Sequence, residues 1–460
     1  MTPKLTLLLF QYAATVPLSA AYLAYGLKKV KIGFEVSLCD PGNFKNLHAR
    51  LFRLMKKSGD IIAIGCYSDT LPYALAALKR LKREYPGKTV ILGGIGPSMV
   101  AKEILEGFDC VDYVIRGCGI IALPELFLAI TEKRKQFGAI RGLAYREKGR
   151  VIANSAGNSC ENIPRLPEYS AINNISGFKL FLVKTSSGCP YRCAFCCVSS
   201  VYDRKVVNRD LKTVLAELRL IKKIKGPGAF VLRIIDEGFI LNRKRVLEFC
   251  SLLRRSRLRI PWMCYGRVDR MDEELLKTMA RAGCIEIFYG VESGSNSILK
   301  KIRKGFTIEA AVKMLLLSKK YIPGVVASFI YRYPFETMKD FMETWFYMLY
   351  LKHNSIFVQL HPLAPVKNSE IYRNYSGRLR FSKNEQGNYL GRSLADSLPG
   401  ECLELIKEQP RVFYDYWYYY SRDLAKVNRF IRKHKKIIYG NCVPTSWVSN
   451  GIPSRRKRGN

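Results

Sequence analysis

Cys189, Cys193 and Cys196, spaced C-x3-C-x2-C in the run from Ser187 to Cys196, are the residues of this chain whose type and spacing most plainly do chemistry. They offer three thiolates from one short loop. Three ligands leave one corner of a cubane iron–sulfur cluster without a protein ligand, and an open metal position is what substrate binding at a metal requires. Catalysis is therefore expected from this loop rather than a structural metal. Structural zinc, the alternative, needs a fourth Cys or His; the nearest candidate, Cys197, points away from Cys196 if the segment is extended. Gly188 and Pro190 read as turn residues that let the chain wrap a cluster.

A loop of this kind has to be carried by a scaffold, and two runs of alternating strands and helices are available. Apolar segments at Leu5–Phe10, Phe34–Leu38, Ile61–Gly65, Val90–Leu92 and Tyr113–Ile115 are separated by amphipathic stretches such as Leu75–Arg83 and Met99–Leu105. This predicts an α/β fold that begins with a doubly wound parallel sheet. Polar or glycine-rich loops follow the strands: Tyr67, Ser68 and Asp69 after the third, Gly93, Gly94, Gly96 and Ser98 after the fourth, and Gly117, Cys118 and Gly119 after the fifth. Ligands bind at such strand ends, and glycines admit close approach of a large flat or phosphorylated group.

Six further strand–helix units follow: Phe181–Thr185, Phe230–Ile235, Trp262–Tyr265, Glu286–Gly290, Val325–Tyr331 and Ile356–Leu360. They predict a partial (β/α)6 barrel, whose chemistry gathers at the strand carboxyl ends. The cysteine loop lies past the first; Asp236, Arg267, Glu292 with Ser293, Arg332 and His361 lie past the others. Glu292 and Ser293 also admit reading as a helix start at Ser295, and Asp236 or Arg267 as part of a structural ion pair. The expected organisation is a ligand-binding sheet domain (1–141), a connector with a Tyr145–Ile152 hairpin and an extended Ile163–Tyr169 stretch (142–179), the barrel (180–375), and a helical C-terminal extension with a basic tail (376–460).

Composition is ordinary for a globular protein at 48% hydrophobic and 25% charged, but 76 Lys and Arg against 38 Asp and Glu leave a net charge of +38. Such a field draws anionic partners without choosing among nucleic acid, membrane surface, acidic peptide and phosphorylated metabolite. The 14 cysteines are otherwise scattered singletons such as Cys39, Cys250 and Cys442, which excludes a disulfide scaffold and points to a reducing cytoplasm. Leu5–Leu27 carries no charge, yet Pro17, Gln11, Thr15 and Ser19 divide it into strand, loop and helix rather than a membrane span. Near the end, the aromatic Tyr414–Tyr420 and the basic helical run Arg422–Lys436 fit a cap over the barrel, with nucleic acid or membrane contact as alternatives.

The cysteine spacing, with Phe195 just before the third cysteine, resembles the cluster loop of the radical S-adenosylmethionine (SAM) superfamily. Leu241–Glu248, Met271–Leu276 and Ala282–Cys284 resemble its barrel, and Pro17–Ala24, Asp60–Gly65, Ile91–Ser98 and Asp112–Gly119 with Leu123–Leu126 resemble the cobalamin (B12)-binding domain of one of its classes. The resemblance implies a [4Fe-4S] cluster on Cys189, Cys193 and Cys196; SAM near Glu292, Ser293, Asp236, Arg267 and Phe195; and cobalamin near Gly93, Gly94, Gly96, Ser98, Ser68, Gly117 and Gly119. It implies reductive cleavage of SAM to a 5′-deoxyadenosyl radical, with methylation of an unactivated carbon expected first and radical cyclisation or rearrangement second. RNA modification and a non-catalytic cluster or corrinoid sensor are rivals. A small-molecule, lipid or peptide substrate and an electron donor such as flavodoxin or ferredoxin follow, and nucleic acid is not the expected partner. The location implied is cytoplasmic, with an anionic membrane face as a further expected contact. The family usually has glutamates where this chain has Cys118 and Ile120, and glycines where it has Tyr333 and Phe335. The first domain's only histidine, His48, is not in a D-x-H-x-x-G setting, so no histidine is expected below a bound corrin.

Overall fold

The computed structural model describes residues 3–12, 15–42, 44–134, 136–155, 166–198, 204–381 and 398–439. The Arg455–Arg458 tail, Cys442 and the first residues of the Ile163–Tyr169 stretch lie outside them.

Strands β1 (Leu5–Phe10), β2 (Phe34–Cys39), β3 (Ile61–Gly65), β4 (Thr89–Gly93) and β5 (Tyr113–Ile115) are parallel, in the order β2-β1-β3-β4-β5. Leu5 pairs with both Phe34 and Ile61, so the strand order reverses across β1 and β3. Strand ends at such a point flank a crevice. Every residue of β1 is buried, as a strand covered on both faces must be. Leu5 and Leu7 meet Leu27, Leu123 and Phe127 on one face, while Leu8 and Phe10 meet Leu51, Tyr73 and Leu78 on the other. Gly26 sits within the Leu18–Lys29 helix because a Cβ there would lie 2.0 Å from the carbonyl oxygen of Ile120 in the neighbouring helix. The hairpin β6 (Leu143–Glu147) and β7 (Arg150–Ala153) pairs antiparallel with β5 and lengthens the sheet to seven strands.

The second sheet is all parallel and sequential: β8 (Leu180–Val183), β11 (Val231–Ile234), β12 (Trp262–Gly266), β13 (Cys284–Glu292), β14 (Gly324–Tyr331) and β15 (Phe357–Pro362). Alternate residues such as Phe181, Leu232, Trp262, Ile287 and Phe329 pack under the outer helices. The opposite face begins with an apolar floor of Leu180, Val231 and Met263. Each long outer helix starts on a side-chain cap: Asp210, Asn242, Asp272, Thr307, and Thr337 in a capping box with Asp340. Each cap is worth about 1 kcal/mol. Between β8 and the first outer helix, β9 (Ser186–Ser187) pairs antiparallel with β10 (Val207–Asn208) and closes the base of the cysteine loop.

The C-terminal extension serves both halves. Its Arg422–Tyr439 helix caps the barrel through Leu424, Val427 and Ile431. The Gly400–Glu408 helix and the short 3-10 turn Tyr414–Tyr416 go instead to the first domain, where Cys402, Leu405, Phe413 and Tyr416 join the core built on β1, β3 and β4. Between them, β16 (Leu379–Phe381) pairs with β17 (Trp417–Tyr419). No helix among the described residues is long and apolar enough to cross a membrane.

Phe413 is wholly buried and meets Phe108 edge-on at 6.3 Å. Phe413→Ala is expected to cost about 3–5 kcal/mol in denaturant unfolding. A loss below about 1 kcal/mol would mean that the extension is not part of the first domain's core.

Candidate functional site

The cysteine loop leaves the end of β9 through Gly188, whose φ of +93° few other residues tolerate. Backbone bonds hold it from two sides: Ala194 N donates to Ile302 O at 3.1 Å, and Ile371 N donates to Ala194 O at 3.0 Å. A local bond from Cys196 N to Cys193 O, at 3.1 Å, sets the turn between the last two ligands. All three cysteines are half-buried. Burial pushes the Cys189 thiol up and that of Cys196 up to about 12, so deprotonation waits for a positive partner. Among the described residues, no three His, Cys, Asp or Glu converge tightly enough to hold one metal ion. A cubane does not ask that of them, because each thiolate binds its own iron.

Arg267, at the end of β12, supplies a cation. Its guanidinium lies 3.7 Å from the Tyr191 ring centre and 3.9 Å from Cys193 Sγ, pairs with both oxygens of Asp269 at 3.0 Å, and donates to Lys304 O at 2.6 Å. Asp236, at the end of β11, takes hydrogen bonds from Thr185 N, Thr185 Oγ1 and Ser186 Oγ at 2.5–2.7 Å. Burial pushes its carboxyl up, while those donors pull it down. Its position is that of a latch under the loop rather than a group open to a ligand.

Glu292 ends β13 after a register shift, in a left-handed backbone at φ +75°, and accepts from Lys304 Nζ at 3.0 Å. Both side chains are nearly buried. Ser293 turns the other way: its hydroxyl meets Thr344 Oγ1 at 3.2 Å and accepts from Ser295 N at 3.1 Å, so it holds the turn into the next helix. The Phe195 ring packs edge-on to Tyr333 at 6.4 Å. The Tyr333 hydroxyl is buried without a partner among the described residues. His361 faces the same mouth, beside Gln359 at 3.2 Å; burial lowers its pKa, outweighing Glu292, and favours the neutral ring.

Lys304 and Gln359 escape sequence reasoning. Lys304 lies 12 positions past its partner in the Lys300–Lys304 basic run, where nothing distinguishes it from a surface lysine. Gln359 falls inside a strand pattern, and only its inward position on β15 brings it to the mouth.

In the first domain the glycine loops form a cradle. Gly94 has φ +93°, and a Cβ there would lie 2.5 Å from Cys66 O; one on Gly96 would meet Tyr67 and Ser68 backbone at 2.7–2.9 Å. Ser98 Oγ joins the loops by donating to Gly94 O at 2.6 Å and accepting from Gly117 N at 3.0 Å. Gly117 has φ +78°, whereas Gly119 opens the next helix with a prospective Cβ 3.1 Å from Leu23. Around the cradle Tyr67, Ile95 and Ile121 are exposed, an apolar rim. His48 lies on the Leu47–Lys57 helix, outside these loops.

The two loop sets approach one another. Lys184, at the end of β8, lies within electrostatic reach of Cys118. Lys367 donates to Glu103 Oε1 at 2.6 Å, and its ammonium lies 5.2 Å from the Tyr414 ring centre. Behind the cradle, Tyr12 OH reaches Asp69 at 3.0 Å and Tyr416 OH donates to Asp69 O at 3.0 Å. Asp415, which accepts from Ser68, is so deeply buried that its carboxyl is pushed up to about 7.

A doubly wound sheet and a six-stranded parallel barrel, whose strand-end loops come within electrostatic reach of one another at Cys118 and Lys184, define a two-domain α/β architecture. Residues 183–347 match the radical SAM superfamily and residues 12–127 the B12 binding domain. The chain belongs to the cobalamin-binding class of radical SAM proteins. An uncharacterised methyltransferase of Pyrococcus horikoshii, PH0819, is 27% identical over 70% of this chain and 71% of its own. Anaerobic magnesium-protoporphyrin IX monomethyl ester cyclase of Cereibacter sphaeroides is 27% identical over 72% of this chain and 55% of its own. In fold, the chain is similar to the radical SAM methyltransferase TsrM of Kitasatospora setae, solved with tryptophan and a SAM analogue: TM-score 0.71, 17% identity, 94% of this chain and 89% of that one.

Glu336, in the loop after β14, offers a pH test. It accepts from Arg332 N at 2.7 Å through one oxygen, the other has no partner among the described residues, and burial pushes its pKa from 4.5 to about 8. The folded state therefore holds a proton that the unfolded chain releases near its ordinary value. Stability conferred by this group is full below that value and falls as pH rises towards the folded pKa. Glu336→Gln is expected to flatten that fall in denaturant midpoints between about pH 5 and 8; an unchanged slope would mean that Glu336 is ionised in the fold.

Proposed function

We propose that the chain is a cobalamin-dependent radical SAM methyltransferase that methylates an unactivated carbon of a small molecule. The observation that carries this reading is the pairing of a three-cysteine loop on the barrel with a glycine cradle on the first domain, the two sets of loops meeting at Lys184 and Cys118. Cys189, Cys193 and Cys196 suit a [4Fe-4S] cluster with one open iron, and the cradle with its apolar rim suits a corrin approached closely by backbone. When bound, these groups supply an electron to cleave SAM and a carrier for its methyl group.

The chain's own residues bind and orient. Arg267 offsets the negative charge gathered beside Cys193 and holds Tyr191, so the loop keeps its shape whether or not an electron arrives. The Glu292–Lys304 pair sets a carboxylate and an ammonium at the mouth, complementary to the amino and carboxylate ends of an amino acid. Phe195 and Tyr333 form an apolar wall against water. Neutral His361 and Gln359 offer hydrogen bonds from the far side of the barrel. A small acidic redox protein such as flavodoxin or ferredoxin would complement the +38 surface.

A second reading, radical cyclisation without methyl transfer, is favoured by the cyclase relative, which matches this chain at the same 27% identity as the methyltransferase. The test is anaerobic reconstitution with iron, sulfide and hydroxocobalamin, followed by SAM and a strong reductant. Methyl transfer predicts corrinoid retained on gel filtration and both 5′-deoxyadenosine and S-adenosylhomocysteine as products, and Cys193→Ala loses the deoxyadenosine. Deoxyadenosine alone would favour cyclisation; neither product would remove the enzyme reading. Glu292→Gln is expected to keep the cluster's visible absorption and weaken SAM binding roughly tenfold, about 1.4 kcal/mol, in anaerobic equilibrium dialysis. An unchanged dissociation constant would take Glu292 out of the SAM site.

A further inference from the structure

One outer helix of the barrel carries an apolar face that none of the described residues covers. Along Met338–His353 the exposed positions are Lys339, Met342, Phe346, Leu349, Tyr350 and His353, which lie on one stripe at helical spacing. Four of the six are large and apolar, and Phe346 is 60% exposed. An outer barrel helix needs apolar residues only on its inner side, where Phe341, Trp345 and Met348 already serve. Among the described residues the second stripe packs against nothing.

Against this helix packs Arg422–Tyr439, with Trp345 and Phe430 in edge contact at 5.1 Å. Its exposed positions from 422 to 434 are Arg422, Lys426, Arg429, Arg432 and Lys433, all basic. Asp423 is the helix's one acid, and it meets Lys426 at 3.2 Å. An apolar stripe and a basic stripe thus run on two helices in contact.

We propose that these two helices dock the protein on an anionic lipid bilayer. Phe346, Leu349, Tyr350 and Met342 enter the headgroup boundary, and the basic stripe meets the acidic headgroups beside them. Apolar residues with flanking Lys and Arg are the combination that holds a helix in a membrane interface, where each feature alone binds weakly. A second copy of the chain fits less well, because a two-fold contact on the apolar stripe would bring two basic stripes together in a molecule of net charge +38. The surface is separate from the cysteine loop, so the inference stands whether or not the chain methylates its substrate.

The experiment is co-sedimentation of the full chain, reconstituted anaerobically, with vesicles of phosphatidylcholine alone or with about one-third phosphatidylglycerol. Binding is expected to the anionic vesicles only. Phe346→Ser with Tyr350→Ser, which keeps every charge, should reduce it about tenfold, as should Arg429→Glu with Arg432→Glu. Lys222→Glu with Lys223→Glu, an equal reversal on the exposed side of the Leu211–Lys225 helix, should leave it within about twofold. Circular dichroism and melting check each fold. Phe346→Trp gives an independent readout, with emission moving to shorter wavelength on anionic vesicles. The proposal is overturned if the two charge reversals weaken binding equally, since adhesion is then general. It is equally overturned if the serine variant binds like the parent, if it turns a dimer into a monomer without losing vesicles, or if single-stranded RNA rather than lipid is the ligand lost.

Discussion

Three sulfurs on one short loop repel one another once ionised, and a half-buried guanidinium lies beside them. Arg267 touches the loop twice, through the Tyr191 ring and the Cys193 sulfur, and ties it to the Lys304 carbonyl. A lysine could not do this. Its ammonium lacks the flat face for the ring and the fork for Asp269, whereas the planar guanidinium satisfies both with donors to spare. Lys304 in turn gives its ammonium to Glu292, so the cluster loop and the mouth of β13 share one chain of charged contacts. The rest of the site is arranged around that chain.

The loop also needs a floor, and the ends of parallel strands supply it. Asp236 on β11 binds Thr185 and Ser186, which follow β8, so the register of two adjacent strands sets the height at which the cysteine loop begins. The same principle works in the first domain, where Ser98 spans the loops after β4 and β5. One segment that joins the halves is the 3-10 turn Tyr414–Tyr416. It buries Asp415 against Ser68 behind the glycine cradle while Tyr414 meets Lys367 and Tyr372 on the barrel side. Its aromatic content is the price of passing between two domains with a little side chain in each.

Much of this was legible in the sequence because it depends on local pattern. The bounds of β1, β3 and β5 follow from apolar runs closed by polar or glycine residues. The cysteines are read by spacing alone. Illegible were the features set by distance in space. That Gly400–Tyr416 leaves the barrel for the first domain depends on where the Leu71–Glu84 helix lies, not on its own periodicity. Ser293 and Asp236 look like ligand residues by position, yet each has its polar atoms engaged by neighbouring backbone and hydroxyls. Lys304 looks like surface and is nearly buried.

Backbone strain marks where the barrel gives up stability. Glu292 and Arg332 follow one another around the mouth, at the ends of β13 and β14, and both are non-glycine residues with φ above +70°. Each such conformation costs about 1–3 kcal/mol and persists only where the surroundings enforce it. The enforcement is visible: Lys304 holds Glu292, and Arg332 is held by Glu336 at its backbone nitrogen and by Asn428 at Nε, 2.7 Å each. Glycine at these positions would relieve the strain but lose the charged side chains. Two adjacent strand ends thus trade stability for charged side chains, the Glu292 carboxylate on Lys304 and the Arg332 guanidinium between Tyr331 and, from the C-terminal extension, Tyr418 and Asn428. The cap therefore fixes the backbone at the end of β14 as well as closing the barrel.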